Sequence, residues 1–414
     1  MAPSPGAAAA AWRAALAAAG CPAEVGSEHV GVPDAAGRVA AGPVRARCSV
    51  PAVPCAAMDG IAVHAADTAS GTIAAGAFDV VDTGDPLPPG RDAVVMREHV
   101  LPENGRRRTD GSVALPGPVP AGQHVRPVGE SVREGAQLVA AGRVLRPADL
   151  AAAAAGGLRT LEVRRRPRVT IVPTGDEVRP LGTDLAPGEL LDTNSLMLAA
   201  TLRTRDCEVT VAPIRPDDPA LIAAAVQDAA ADLVLVLAGS SAGRDDHTAA
   251  VVRGLGTVVV HGVAVRPGHP VLLGVVRPPA ARPSADRPAV PVIGVPGYPV
   301  AAALAVELFA LPLLADLQRR LPDTPRTVDV RVRGTVPSRR DVEEYVLLAL
   351  PGDGTAVPLA RGAGAQTALA AADAVLRIDA GSAGHEAGDL VTAHLVDTPG
   401  WAAPAPAGER RAAG

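Results

Sequence analysis

Four short loops hold most of the residues whose types and spacing could do chemistry. They are Pro173-Thr174-Gly175-Asp176-Glu177, Gly239-Ser240-Ser241-Ala242-Gly243-Arg244-Asp245-Asp246, Arg266-Pro267-Gly268-His269-Pro270 and Val295-Pro296-Gly297-Tyr298-Pro299. The first two follow apolar runs that read as buried strands, and parallel sheets place ligands at the carboxyl ends of their strands. Glycines such as Gly175, Gly239, Gly243 and Gly297 let backbone N–H groups approach an anion, and carboxylates such as Asp176, Glu177 and Asp246 can hold a hard divalent cation. Arg266 can grip an oxyanion with two donors, and His269 donates when protonated. Phosphate and metal chemistry is the shared theme.

Taken singly, each loop also has an ordinary explanation. Asp176 and Glu177 suit a solvated turn, and Asp245 suits the cap of a helix starting near His247. Arg266 and His269 suit a turn between two strands, and Pro296–Pro299 suits a helix entry with proline in its first turn. Met58-Asp59-Gly60, far upstream, reads as a plain turn. No H-E-x-x-H occurs, and a Walker A loop is impossible because the chain has no lysine.

These loops need a scaffold, and the hydrophobic pattern describes one. From Arg168 onward strands alternate with helices. The expected strands are Val169–Val172, Glu208–Val211, Leu233–Leu237 and Val292–Val295. The expected helices are Asn194–Thr204, capped by Asp192 or Thr193, then Pro219–Ala231, Thr248–Gly254 and Val300–Leu317. This is a three-layer α/β domain; the unbroken run Leu233–Leu237 suits a strand buried on both faces. Residues 50–145 carry short β-like runs (Ile61–Val63, Phe78–Val81, Ala93–Met96) between Pro and Gly, which predicts a small β domain. β-like runs return after Pro325. Alanine-rich residues 7–19 predict a helix, with a shorter one over Val32–Val39 and another over Asp149–Gly157. The insert Pro278–Pro291 and the tail from Pro399 read as disordered.

The bulk numbers narrow the class. At 414 residues the chain is too long for one core. A net charge of −5 gives no sign of a nucleic-acid surface. The four cysteines form no C-x-x-C pair, which suits a reducing compartment. No uninterrupted apolar run long enough for a bilayer is evident, and residues 1–20 lack the basic start of a secretory signal. A cytoplasmic protein is expected.

Together and in order, these segments resemble the molybdopterin molybdenumtransferase family (MoeA and the E-domain of gephyrin) over roughly residues 28–395. Cys55-Ala56-Ala57-Met58-Asp59-Gly60-Ile61-Ala62-Val63 is similar to the family's S-A-M-D-G-Y-A-V. Thr83-Gly84-Asp85-Pro86-Leu87-Pro88 is similar to T-G-A-P-x-P, and Thr174–Glu177 is its T-G-D-E. Asp192-Thr193-Asn194-Ser195 is similar to D-x-N-S. Gly239–Asp246 stands for G-V-S-x-G-x-x-D, Arg266–Pro270 for K-P-G-K-P, and Pro296–Pro299 for P-G-N-P.

The resemblance implies α/β plus β architecture in four parts. These are an extended helical domain (1–50 and 147–167), a small β domain (51–146), an α/β molybdopterin-binding domain (168–321) and a carboxyl-terminal β-barrel (322–398), followed by a tail (399–414). It also implies a homodimer whose active site joins the α/β domain of one subunit to the β domain of the other, with the molybdopterin adenylyltransferase as a partner. The implied reaction inserts molybdenum from molybdate into adenylylated molybdopterin, with release of AMP and with magnesium present. Asp59, Glu177 and Asp246 would hold magnesium. Thr83, Thr174, Gly175, Asp176, Gly239, Ser240, Ser241, Gly243, Arg266, His269, Gly297 and Tyr298 would contact substrate. Five positions depart from the family: Ser131 replaces a carboxylate, Arg266 and His269 replace lysines, Tyr298 an asparagine and Ile61 a tyrosine. A divergent, non-catalytic relative that binds molybdopterin or molybdate for sensing or delivery stays open as the second reading.

Overall fold

The computed structural model describes residues 2–100, 109–237, 247–277, 288–362 and 365–396. The loop carrying Gly239, Ser240, Ser241, Gly243 and Asp246 lies outside the described residues, as do most of the expected insert (278–287) and the tail. The chain forms two units, Ser27–Arg164, and Met1–Gly26 together with Arg165–Gly414.

The larger unit is built on a six-stranded sheet in the order Glu208–Val211, Arg168–Pro173, Leu233–Leu237, Val290–Val295, Leu272–Val276, Gly256–His261. The first four strands are parallel, and Leu272–Val276 runs antiparallel to both of its neighbours. Alternation along the central strand explains the layers. Leu233, Leu235 and Leu237 face one core with Trp12, Leu198, Leu202 and Leu304. Val234 and Val236 face the other with Ile222, Val226 and Val252. Helices Pro5–Ala18, Thr193–Arg203 and Pro299–Leu317 therefore cover one side of the sheet, and Pro219–Asp228 and His247–Leu255 cover the other.

Local chemistry sets the helix starts. Asp192 accepts from Ser195 N at 2.9 Å, and Asp218 accepts from the amides of Ala220 and Leu221. Pro5, Pro219 and Pro299 sit in first turns, where a missing N–H costs nothing. The helix Pro299–Leu317 widens into a π-helical stretch at Val306–Ala310, just before Pro312. A proline inside a helix lacks its N–H and crowds the carbonyl four residues back, and the wider turn accommodates both effects. By length and composition this helix is apolar enough to cross a membrane, although Glu307 and Asp316 interrupt its apolar run, and 78% of the qualifying 18-residue window is buried.

The amino-terminal helix departs from the expected grouping of residues 1–50 with 147–167. Trp12 is 1% exposed and its Nε1 donates to Gly274 O at 2.8 Å, so this helix is part of the α/β layers. The face it buries against the sheet carries Pro5, Ala8, Trp12 and Leu16.

The carboxyl-terminal strands Glu343–Ala349, Thr355–Pro358, Thr327–Val332, Leu390–Leu395 and Ala374–Ile378 pair in that order, and the last pairs back onto the first. The result is a closed barrel filled by Val330, Val346, Leu348, Leu376 and Val391. A short strand, Val265–Arg266, from the α/β part joins it in parallel beside Glu343–Glu344.

In the smaller unit, Ser27–Gly31 and Thr160–Arg164 form an antiparallel ribbon that packs with the helix Pro147–Ala155. The helix expected over Val32–Val39 is only a 3-10 turn at Val32–Asp34. Gly37 has φ +76, which a right-handed helix cannot continue through, and Val39 pairs with Val144. The β part holds a three-stranded sheet, Phe78–Val81, Gly60–Val63 and Ala93–Met96, with two smaller pairs.

Candidate functional site

Three neighbouring parallel strands end side by side at Pro173, Leu237 and Val295. Thr174 continues from the first of them and is 2% exposed; its amide and hydroxyl both donate to Leu237 O, at 3.1 and 2.8 Å. The Thr174 side chain thus ties two strand ends together rather than facing solvent. Gly175 follows at φ +133, where a Cβ would lie 2.7 Å from Val178 Cγ2 and 2.9 Å from Glu177 Oε2. Only glycine lets the Glu177 carboxylate fold back over the turn. Asp176 and Glu177 are exposed.

Sequence reasoning passed over Asp217, which completes this acidic corner. The strand Glu208–Val211 runs into a loop in which Arg215 O accepts from Gly175 N at 3.1 Å and Asp217 N donates to Asp176 Oδ1 at 3.2 Å. Burial, and then the charges of Asp176 and Glu177, push the Asp217 carboxyl above its usual range; His247 and a backbone N–H of Asp176 oppose that shift. The only signal was a doubled carboxylate, Asp217-Asp218, between a strand and a helix, and Asp218 is used as the helix cap. The donor set is all carboxylate oxygen, which is the preference of a small hard cation such as magnesium. Among the described residues no three such side chains converge on one point.

The third strand leads through Gly297 and Tyr298 into the helix at Pro299. Asn194 Nδ2 donates to Gly297 O at 2.7 Å, which fixes the start of the helix Thr193–Arg203 against this turn. Asn194 Oδ1 and Ser195 Oγ are buried there without partners among the described residues. Tyr298 is 64% exposed.

Next to this turn lies a cleft of about 580 Å³ between the α/β part and the barrel. Gly268, at φ +107, sits 3.6 Å (from an ideal Cβ) to Ala301 O, so the Arg266–Pro270 turn rests on the first turn of the Pro299 helix. The cleft is lined by Arg266 and His269 from that turn and by Ser338, Arg339, Glu344 and Arg361 from the barrel. Arg361 pairs with Glu344 and donates to Pro337 O, and Ser338 Oγ donates to the same carboxylate at 2.8 Å. Arg339 forks onto Asp341 at 3.0 and 2.6 Å. The Arg266 side chain is exposed and makes no ion pair or hydrogen bond among the described residues. His269 Nδ1 lies 2.6 Å from Val263 O. Ser338, Arg339 and Arg361 were not legible as site residues, because nothing local marks a barrel residue that faces another part of the chain.

Asp59 and Thr83 belong to the smaller unit, and the structure brings these two together. Thr83 donates to Asp59 Oδ1 from its amide at 2.7 Å and from its hydroxyl at 2.8 Å. Those two bonds, the amide first, hold the exposed Asp59 carboxyl below its usual range. Gly60 is required next to it, since a Cβ would fall 1.9 Å from Val95 O.

Comparison with known proteins places this arrangement in a class. Residues 7–157 match the family described as MoeA N-terminal region (domain I and II), residues 170–316 the "Probable molybdopterin binding domain", and residues 329–396 the MoeA C-terminal region (domain IV). The chain is 34% identical over 329 residues to molybdopterin molybdenumtransferase 2 of Mycobacterium tuberculosis, covering 70% of this chain and 75% of that protein. It is 30% identical over 314 residues to the molybdopterin molybdenumtransferase of Haemophilus influenzae, covering 70% and 73%. A crystal structure of a molybdopterin biosynthesis MoeA protein from Pyrococcus horikosii superposes with a TM-score of 0.81 at 27% identity, over 95% of this chain and 99% of that one. The chain belongs to the molybdopterin molybdenumtransferase family, enzymes of molybdenum cofactor biosynthesis.

Proposed function

We propose that this protein inserts molybdenum from molybdate into adenylylated molybdopterin and releases AMP with magnesium bound. The observation that carries the reading is the pairing of two opposite environments around the Pro299 helix start and the adjoining strand ends. One is a carboxylate corner (Asp176, Glu177, Asp217), and the other is a guanidinium-rich cleft (Arg266, Arg339, Arg361). A dianionic oxyanion suits the cleft, where arginine offers paired donors. A phosphate suits the open turns at Gly175 and Gly297, whose amides lie at strand ends and a helix start.

Glu177 and Asp217 would hold magnesium, with Asp246 and Asp59 assigned to the same role by the family pattern. When bound, the cation would neutralise charge between the carboxylates and the phosphate. The residues themselves act by positioning. Thr174 locks the strand ends, Gly175 lets Glu177 turn back, and Asn194 fixes the Gly297 turn. The rate gain then comes from holding molybdate and nucleotide together and from stabilising developing charge. The reading carries with it a homodimer, supply of substrate by the adenylyltransferase, and a cytoplasmic setting in keeping with the four free cysteines.

The test is AMP release by the purified protein with adenylylated molybdopterin, molybdate and magnesium. Release that requires molybdate and is lost in Glu177→Ala supports the transferase. Nucleotide binding without release would instead make the chain a carrier or sensor, a role in which the exposed Tyr298 at the strand-end turn would serve binding alone.

A further inference from the structure

We infer that oxyanion capture in the cleft is coupled to proton uptake by His269, so that this protein takes molybdate in a pH-dependent manner. The inference rests on the reading of the cleft as the molybdate site.

The tautomer follows from geometry. His269 Nδ1 lies 2.6 Å from Val263 O, and a carbonyl oxygen can only accept, so Nδ1 carries a hydrogen. Val263 N donates back to His269 O at 2.9 Å, which fixes the residue at both ends. Nε2 is then the one ring nitrogen left for a ligand. In the neutral ring Nε2 is a bare lone pair, which repels an oxyanion. In the imidazolium it is a charged donor. The ring cannot turn over to present Nδ1–H without breaking its bond to Val263. A bound oxyanion therefore selects the protonated ring, whereas a permanently charged side chain at this position would make no such demand.

The surrounding charges strengthen the coupling. Facing the cleft are Arg266 on the same turn and Arg339, Arg361, Glu344 and Tyr345 on the barrel, with Asp341 behind Arg339. The Tyr345 phenol is buried and stays neutral. Three guanidiniums against two carboxylates leave one net positive charge, and imidazolium at His269 supplies a second, matching a dianion. His261, one residue before Gly262, is the nearest other imidazole in sequence. Imidazole is the side chain whose charge changes in the neutral range.

The experiment is calorimetric titration of molybdate into the full-length protein from about pH 6 to about pH 8.5, within the neutral range of imidazole. Running it in two buffers of different ionisation heat counts protons. The expected result is an affinity that falls about tenfold to a hundredfold as pH rises, with uptake approaching one proton on the alkaline side. His269→Lys should bind tightly with a flat profile. His269→Gln should bind weakly with a flat profile, and His261→Gln should match the wild type. A wild-type profile without proton uptake, or a pH dependence that survives in His269→Gln, would overturn the coupling. Arg266→Ala separates the two ideas. If it weakens binding while the wild-type profile is flat, the cleft stands and the coupling falls. If neither Arg266→Ala nor His269→Gln changes affinity at any pH, molybdate binds elsewhere and both fall.

Discussion

The acidic corner and the cationic cleft are built on opposite principles, although the Pro299 helix start links them. In the corner, Asp217 is partly buried beside two like charges, and its raised proton affinity records first that burial and then the repulsion from Asp176 and Glu177. In the cleft, two of the three arginines already hold carboxylates of the barrel, while Arg266 makes no ion pair or hydrogen bond among the described residues and only adds its charge near Asp341. The corner is poised for a cation, while the cleft has spent most of its charge on holding its own walls and keeps a small excess for an anion. The difference teaches that a cluster of arginines is not a measure of anion affinity. What counts is the charge left after internal pairing.

Changes at the corner should have the largest effect. Glu177→Ala should lower molybdate-dependent AMP release by about 10²–10³-fold, the scale for removing one stabilising group from a transition state. A loss below tenfold would place the chemistry away from the corner. The support of the hairpin that carries the Arg266–Pro270 turn comes next. Trp12→Ala should cost about 3–5 kcal/mol of stability, read from chemical denaturation, because a fully buried ring and its bond to Gly274 O are both lost. Hydrogen exchange should rise first in the hairpin formed by Gly256–His261 and Leu272–Val276, which carries the Arg266–Pro270 turn. If exchange rises first at Thr174–Glu177 instead, the two regions do not have separate supports. Arg266→Ala should weaken molybdate binding about tenfold to a hundredfold by calorimetry, the worth of charge-assisted hydrogen bonds, and leave magnesium binding unchanged.

The smallest effect should come from Asp217→Asn. A carboxyl whose proton affinity is raised by folding favours the folded state below its unfolded titration range, and that contribution is lost as pH rises through the folded range. Removing the charge should therefore raise the melting temperature slightly at neutral pH and leave it unchanged below about pH 4, near the model carboxylate range. The same variant should show a smaller melting shift on adding magnesium than the wild type. A variant that is less stable at neutral pH would mean that the corner is not under repulsion.

Much of this was readable without coordinates. Leu233–Leu237 is an unbroken apolar strand in sequence and is buried on both faces in the fold. Asp192 was one of two expected caps, and it is the one that accepts from Ser195 N. Thr174–Glu177 sits at the end of its strand as the alternation required, and Thr83 and Asp59 meet as two motifs of one family pattern. By contrast, Leu272–Val276 and Gly256–His261 were foreseen only as two strands around the Arg266–His269 turn, without ranges. Each carries a glycine and flanks a Pro-Gly turn, so neither gave a clean period.

The sequence alone indicated most helices and strands of the α/β domain, where the glycines and carboxylates of the site lie along the chain, and which family it resembles, because those depend on local patterns of residues. Only the tertiary structure decided which sheet receives the amino-terminal helix. It also set the hydroxyl of Thr174 to bracing strands, joined Asp217 to Asp176, and gave the cleft its two barrel arginines. Each of these depends on partners separated by tens or hundreds of residues, and on whether a charge is already paired when it reaches the site. Spacing along a chain cannot encode that.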